Sequence, residues 1–405
     1  MPFMARILLD LFIVFLAAKL AGELFERIGQ PPVIGELLAG VLIGPAALGL
    51  IGQPDAALVG AFHDEGAARE ALRLVYEVLA QVGAILLLFF VGLETRLEDL
   101  LGVGRRAAIV ATMGIALPFL FGFGLIASLG YAALPAIFVG TALVATSVGI
   151  TARVLADLGV LPRPEARVIL GAAVVDDILG MILLAIVVGI GNGQVSWSQI
   201  ALVSAEALLF TGFVVLVGAG VMRRYDARLD ALHMRNGPFA VAIAVCLGLA
   251  ALAGYVGLAA IIGAFLTGLV FAEARQRQEL INQTQPAYDL LVPFFFVLTG
   301  AQVDPRLFLD TGLVGLALAV TILAIAGKVI GCGIGAWGME GRAMAVVAVG
   351  MVPRGEVGLI VAAIGRSLNV LPEGLFSVVV VMSLLTTLVV PPVLKALYPQ
   401  KAKGG

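Results

Sequence analysis

Asp176 and Asp177 stand side by side inside an apolar stretch, 165–190, that is long enough to cross a bilayer. Each carboxylate in hydrocarbon costs about 2.5–3.5 kcal/mol even on the lenient insertion scale. Charges held at that depth mark ion pathways, proton relays or tightly paired partners. A matching cation lies in a second apolar run, 309–337, at Lys328. Asp176 and Lys328 each fall about ten residues from the basic end of their run, or ~15 Å at 1.5 Å per residue. That is the middle of a ~30 Å hydrocarbon core. Neighbouring residues on a helix point about 100° apart, so the two aspartates cannot share one partner. The expected division pairs Asp176 with Lys328 and turns Asp177 toward a water-filled cavity. There it would bind a proton or a hard cation. The competing reading is a buried Asp–Lys pair that serves only insertion and packing.

Two further stretches carry polar groups at similar depth. Thr146, Ser147 and Thr151 interrupt the apolar run 132–157, and Pro353, Arg354 and Glu356 interrupt 343–367. Proline removes a backbone hydrogen bond and clashes with the preceding turn. Irregular backbone in a membrane persists only where protein or cavity water satisfies it. The expectation is two broken helices that cross, with Arg354 and Glu356 neutralising the half-helix dipoles. Freed carbonyls and the Thr/Ser hydroxyls are candidate cation ligands beside Asp177.

These groups need a membrane scaffold, and the composition supplies one. The chain is 61% hydrophobic and 13% charged, against about 25% charged in soluble domains. An all-α polytopic membrane protein of thirteen spans is expected, near 6–26, 33–50, 69–93, 106–129, 132–157, 165–190, 198–222, 237–253, 256–274, 285–302, 309–337, 343–367 and 373–397. The first span carries Lys19 and Glu23 as an expected i,i+4 pair and reads as a membrane helix rather than a cleaved leader. Glu36 and Glu94 are placed near helix ends, within reach of water. Alternate loops gather basic residues such as Arg105, Arg106, Arg153, Arg163, Arg167 and Arg223, against Arg6, Arg69, Arg73, Arg306 and Arg366 on the other side. The positive-inside rule then puts the N-terminus outside and the C-terminus in the cytoplasm.

The chain also repeats itself. Residues 33–42 (VIGELLAGVL) read like 261–271 (IIGAFLTGLVF), and 88–97 (LFFVGLETRL) like 294–305 (FFFVLTGAQVDP). Helices 1–6 would match helices 8–13, with helix 7 as a linker. An offset of seven helices inserts the halves with opposite topology, a pattern of secondary transporters.

Other classes fit poorly. A net charge of −2 gives no case for nucleic acid. No P-loop is present, so ATP is not the expected energy source, and no cofactor is expected. The glycine-rich run 331–336 lies inside an apolar helix, where close packing explains it. A membrane aspartyl protease would need two carboxylates from different helices facing one water. A channel would need a filter sequence, and none is present. Transport rather than catalysis is the reading.

The segments 35–46 (GELLAGVLIGPA), 90–95 (FVGLET), 140–156 (GTALVATSVGITARVLA), 171–181 (GAAVVDDILGM) and 350–363 (GMVPRGEVGLIVAA) carry a family resemblance. Together they resemble the bacterial NapA-type sodium/proton antiporters, in the second family of monovalent cation–proton antiporters. The resemblance covers almost the whole chain. It implies thirteen helices, a homodimer in the bacterial inner membrane and a mobile core domain with two crossing broken helices beside a dimerisation domain. The dimerisation part would comprise 1–104 and 236–307, the core 105–192 and 308–405, and the linker helix 193–235. It further implies that Asp177 binds Na+, that Asp176 pairs with Lys328, and that the crossing motifs fall on Thr146–Thr151 and Pro353–Glu356. The transported species would be Na+ or Li+ and H+, two protons per sodium, by elevator-type alternating access. The adjacent aspartates resemble the electrogenic branch. Potassium/proton exchange is the alternative within the family.

Overall fold

The computed structural model describes residues 3–54, 56–193, 195–229, 234, 236–308 and 311–398. Every regular element among them is helical. The chain opens with α1 (Phe3–Arg27), the short α2 (Pro32–Ile43), α3 (Ala56–Phe62) and the long α4 (Glu65–Glu94). Asp64 starts α4 because its carboxylate accepts from the Ala67 N–H at 2.7 Å, satisfying a donor that the helix leaves unpaired. Next come α5 (Leu97–Gly102), α6 (Gly104–Ser128), α7 (Ala133–Ala142), α8 (Val148–Asp157) and α9 (Pro164–Gly191). α10 (Trp197–Phe213) passes through a π-helical stretch, Val214–Gly218, into α11 (Ala219–Leu229). α12 (Gly237–Tyr255), α13 (Ala260–Phe271) and α14 (Arg277–Ala301) follow. A 3₁₀ turn, Pro305–Phe308, leads to α15 (Thr311–Gly335), α16 (Gly341–Gly350), α17 (Glu356–Ser367) and α18 (Glu373–Leu397).

The helices pack in two groups. α1, α2, α4, α12, α13 and α14 lie against one another, and α6, α7, α9, α15, α16, α17 and α18 form the other group. The groups meet where α8 touches α2 and α4, and where α18 touches α2. Within the first group, backbones approach so closely that only glycine fits. A Cβ at Gly40 would lie 2.0 Å from the Val297 carbonyl oxygen, and one at Gly300 would lie 2.1 Å from that of Leu37. The same pattern joins α4 to α13: Gly92 would meet the Phe265 oxygen at 2.4 Å and Gly268 the Phe89 oxygen at 2.3 Å. Small residues at such crossings let dispersion contacts do what hydrophobicity cannot in lipid.

Seven of the described helices are long and apolar enough to cross a bilayer: α4, α6, α9, α10 with α11, α12, α15 and α18. The remaining expected spans have other forms. α1 carries Asp10, Lys19 and Glu23, and α2 and α13 have only 12 residues each. The fifth and twelfth spans are each split in two. The second ends at Ile43 rather than residue 50, because Pro45 drives Gly44 into extended backbone. The tenth starts at Arg277 rather than residue 285. Its first turns are polar, with Gln278, Gln283 and Gln285 bonded one turn away to Asn282, Glu279 and Asp289, which hydropathy does not register.

Three side-chain expectations need correction. Lys19 donates to the Asp289 carbonyl at 3.0 Å while Glu23 pairs with Arg27 at 2.8 Å, so the expected Lys19–Glu23 pair is replaced by two others. Glu36 is buried at 3% exposure rather than placed near water. Arg153, read above as a loop residue, lies inside α8 and is 9% exposed.

Candidate functional site

The two interrupted helices meet at their breaks. Residues 143–147 separate α7 from α8, and 351–355 separate α16 from α17. In the second break Pro353 has no N–H to give, and in the first the Ser147 N–H turns aside from its own helix to donate to the Pro353 carbonyl at 2.8 Å. Thr151 Oγ1 donates to the Gly350 carbonyl at 2.6 Å, and Thr146 Oγ1 approaches that of Met351 at 3.5 Å. A Cβ at Gly355 would lie 2.6 Å from Ser147 Oγ, so glycine permits this contact. α18 completes the seal: Thr386 Oγ1 accepts from the Arg354 N–H at 3.2 Å, and Thr387 Oγ1 donates to the Arg354 carbonyl at 2.8 Å. These freed backbone groups of the two breaks are thus satisfied by protein, as membrane depth favours.

Arg354 is 1% exposed. Its Nη1 donates to the Val352 carbonyl at 2.7 Å and to that of Met351 at 3.3 Å, and Nη2 donates to Ala324 of α15 at 3.4 Å. The guanidinium therefore sits over the C-terminal end of α16, where the helix dipole favours a cation. Asp176 and Lys328 lie within its electrostatic reach. Glu356 opens α17, and its side chain lies outside the described part of the structure.

Asp176 on α9 and Lys328 on α15 form an ion pair, Oδ1 to Nζ 3.1 Å, with side chains 1% and 0% exposed. Gly114 of α6 makes room for Cys332, one turn beyond the lysine on α15, since a Cβ there would lie 2.7 Å from its Sγ. Asp176 Oδ2 has no hydrogen-bond partner among the described residues. Asp177, one residue on, is half-buried and lines a narrow cleft. Val148, the first residue of α8, shares that cleft with Ala173 and Val174 of α9, Leu88 of α4 and Ile261 and Phe265 of α13. Its volume is about 10 Å³, close to what one water needs. Asp177 thus faces the seam between the two packing groups, beside the crossing.

The structure brings Asp176 and Lys328 together and brings Thr146, Ser147 and Thr151 onto residues 350–353. The Thr151 and Thr146 hydroxyls donate to the carbonyls of Gly350 and Met351. Sequence reasoning missed the roles of Thr386 and Thr387, and of Arg153 with Glu36. The Arg153 signal was present: continuing the helical register of 148–157 puts Asp157 at i+4, and the two side chains pair at 2.9 Å.

A multi-pass helical membrane protein with a sealed Asp–Lys pair beside two crossed, interrupted helices has the features of the ion-coupled secondary transporters. Sequence comparison is specific. Residues 12–398 match the family model described as "Sodium/hydrogen exchanger, transmembrane". The chain is 38% identical over 420 residues to the high-affinity Na+/H+ antiporter NhaS3 of Synechocystis, covering 98% of this chain and 90% of the relative. It is 36% identical to the Na+/H+-K+ antiporter GerN of Bacillus cereus, covering 97% and 96%. It is 32% identical to a Na+/H+ antiporter of Enterococcus hirae, covering 95% and 96%. The chain belongs to the sodium/hydrogen exchanger family of monovalent cation/proton antiporters. In fold it is similar to the solved sodium/proton antiporter MjNhaP1 of Methanocaldococcus jannaschii, with TM-score 0.66, 16% identity, and 97% and 96% of the two chains covered.

Proposed function

We propose that this protein exchanges cytoplasmic Na+, or Li+, for external H+ across a bacterial inner membrane, in the manner of the NapA-type electrogenic branch. The observation that carries this reading is the division of labour between adjacent carboxylates. Lys328 neutralises Asp176 in dry packing, while Asp177 lines a cleft with room for about one water or one dehydrated ion. A proton and a cation then compete for Asp177. Burial favours the protonated form of a carboxyl group, and a bound cation favours the ionised form and displaces the proton. Thr146, Ser147, Thr151 and the carbonyls of the crossing stand as candidate ligands.

The proposed cycle is of the elevator type. The core (105–192 and 308–405) carries the crossing and moves against the dimerisation part (1–104 and 236–307), with 193–235 as linker, in a homodimer. The proposed topology counts each broken helix as one pass and includes the short helices, for thirteen passes with the N-terminus outside and the C-terminus in the cytoplasm. An inverted repeat is supported by paired contacts. α2 meets α14 through Gly40 and Gly300 as α13 meets α4 through Gly268 and Gly92, and Gly35 packs on α1 as Gly263 packs on α12. The relative GerN, by its name, also handles K+, so potassium belongs among the ions tested.

The test is a pH-dye assay in proteoliposomes given Na+, Li+ or K+ pulses, with and without an imposed membrane potential. Proton movement with Na+ or Li+ that responds to the potential is expected. Cation-driven movement with K+ alone would overturn the sodium assignment, and insensitivity to the potential would overturn the electrogenic one.

A further inference from the structure

We infer that Arg153 is a latch between the moving and the stationary helices, an inference that rests on the transport cycle proposed above. Arg153 belongs to α8, about a turn and a half from the crossing, yet its partners lie on α2 and α14. Its Nη2 stands 3.7 Å from Glu36 Oε1 on α2. The guanidinium lies over the rings of Tyr288, at 5.2 Å, and Phe296, at 5.9 Å, both on α14. Within α8, Nε donates to both Asp157 oxygens at 3.0 and 2.9 Å. Glu36 and Tyr288 are buried, at 3% and 4% exposure. One side chain therefore ties the half-helix beside Asp177 to two helices of the other packing group.

The knot is held together without being fully satisfied. Arg153 Nη1, Glu36 Oε2 and the Tyr288 hydroxyl each lack a hydrogen-bond partner among the described residues. Unpaired buried polar atoms penalise the arrangement that buries them. Closed, the knot gains charge attraction and ring contact. Parted, the same atoms regain hydrogen bonds to water. A purely structural ion pair would be expected to satisfy its donors and acceptors, whereas two arrangements of comparable free energy make a switch. The knot also lies in the right place. α8 runs from the cleft at Val148 to Asp157 near the cytoplasmic face, so the knot sits between Asp177 and that face. Parting it frees α8 from α2 and α14 and opens the seam toward the cytoplasm.

An Ala173→Cys reporter in the cleft, labelled by an impermeant thiol reagent applied to inside-out vesicles, reads this opening. Labelling is compared with the chain lacking the reporter. In Glu36→Gln and in Arg153→Gln, labelling accelerates by at least about fivefold, the lower end of coupling between distant sites. Na+-driven turnover changes in the same variants while the apparent KM for Na+ stays within about twofold, since the ion ligands are untouched. Should Arg153→Gln fail to assemble, Glu36→Gln keeps the side chain's shape and leaves the Arg153–Asp157 pair, so it carries the test alone. Unchanged labelling and turnover in Glu36→Gln overturn the latch, as does a loss of Na+ affinity at constant turnover. If the unaltered chain moves no protons in response to any cation, the functional reading fails, and the labelling arm still judges the latch.

Discussion

Lys328 Nζ lies 3.1 Å from Asp176 Oδ1, and neither side chain is more than 1% exposed. This contact places the charge of Asp176 against a buried cation, whereas Asp177, the next residue, is half-buried and lines the cleft. Breaking one side of a buried pair leaves an uncompensated charge, at about 3–5 kcal/mol, whereas replacing both partners with neutral groups of similar volume is often nearly neutral. Lys328→Met should therefore lower thermal stability strongly, and Lys328→Met with Asp176→Asn should recover most of the loss. Thermal unfolding of the purified variants checks this. A double variant no more stable than Lys328→Met would show that the pair is not the interaction being broken.

Arg354 makes its contacts through a planar fork, donating to three carbonyls from two elements. Lysine supplies the charge but not the fork. Arg354→Lys should keep the fold with reduced stability and weakened exchange, by about 1–3 kcal/mol for the unsatisfied buried carbonyls. Arg354→Ala should be worse on both measures. Thermal unfolding and exchange rates measured side by side give the order, and equal stability of all three chains would contradict the capping role.

The glycine crossings give a steric prediction with a built-in control. Gly40→Ala or Gly92→Ala puts a Cβ against a backbone oxygen that cannot move without shifting a helix. Overpacking of this kind typically costs about 1–3 kcal/mol. Gly248 on α12 has nothing within 4 Å of an added Cβ, so Gly248→Ala should be neutral or slightly stabilising. Unfolding in detergent separates the two classes. Equal behaviour of Gly40→Ala and Gly248→Ala would argue against the close α2–α14 approach.

Much of the site was legible in the sequence because membrane burial makes charge conspicuous. Asp176, Asp177, Lys328 and Arg354 stand out against apolar neighbours, and Pro353 announces a broken helix by removing a donor. Other features were hidden for equally physical reasons. The first turns of α14 are polar on one face and held by one-turn side-chain bonds, which a hydropathy window reads as loop. Arg153 sits between Thr151 and Asp157 in a helix whose end resembles a basic loop, and its partners Glu36 and Tyr288 are far away in sequence. Lys19 had an acidic residue at i+4, yet Arg27 takes Glu23 and leaves the lysine to a carbonyl of α14. Thr386 and Thr387 look like ordinary small residues of an apolar helix until the broken backbone they satisfy is placed against them.

The proposed competition between H+ and Na+ for Asp177 carries a definite sign for the pH response. On that proposal a proton leaves before the cation binds, so apparent Na+ affinity should weaken as pH falls through the range in which the site takes up its proton. Below that range it should weaken by about tenfold per proton per pH unit. Initial exchange rates over a grid of Na+ concentration and pH check this. A Na+ affinity that is flat across the whole working pH range would rule out a shared site.

The most direct measurement is the release of protons when Na+ is added to the purified protein in weakly buffered solution, compared between the unaltered chain and Asp177→Asn. The unaltered chain should release protons in step with Na+ binding. In Asp177→Asn both should be lost, because removing one partner of a desolvated charge contact costs about 2–5 kcal/mol, at least roughly thirtyfold in affinity. Proton release of normal size in Asp177→Asn would contradict the assignment of the exchange site.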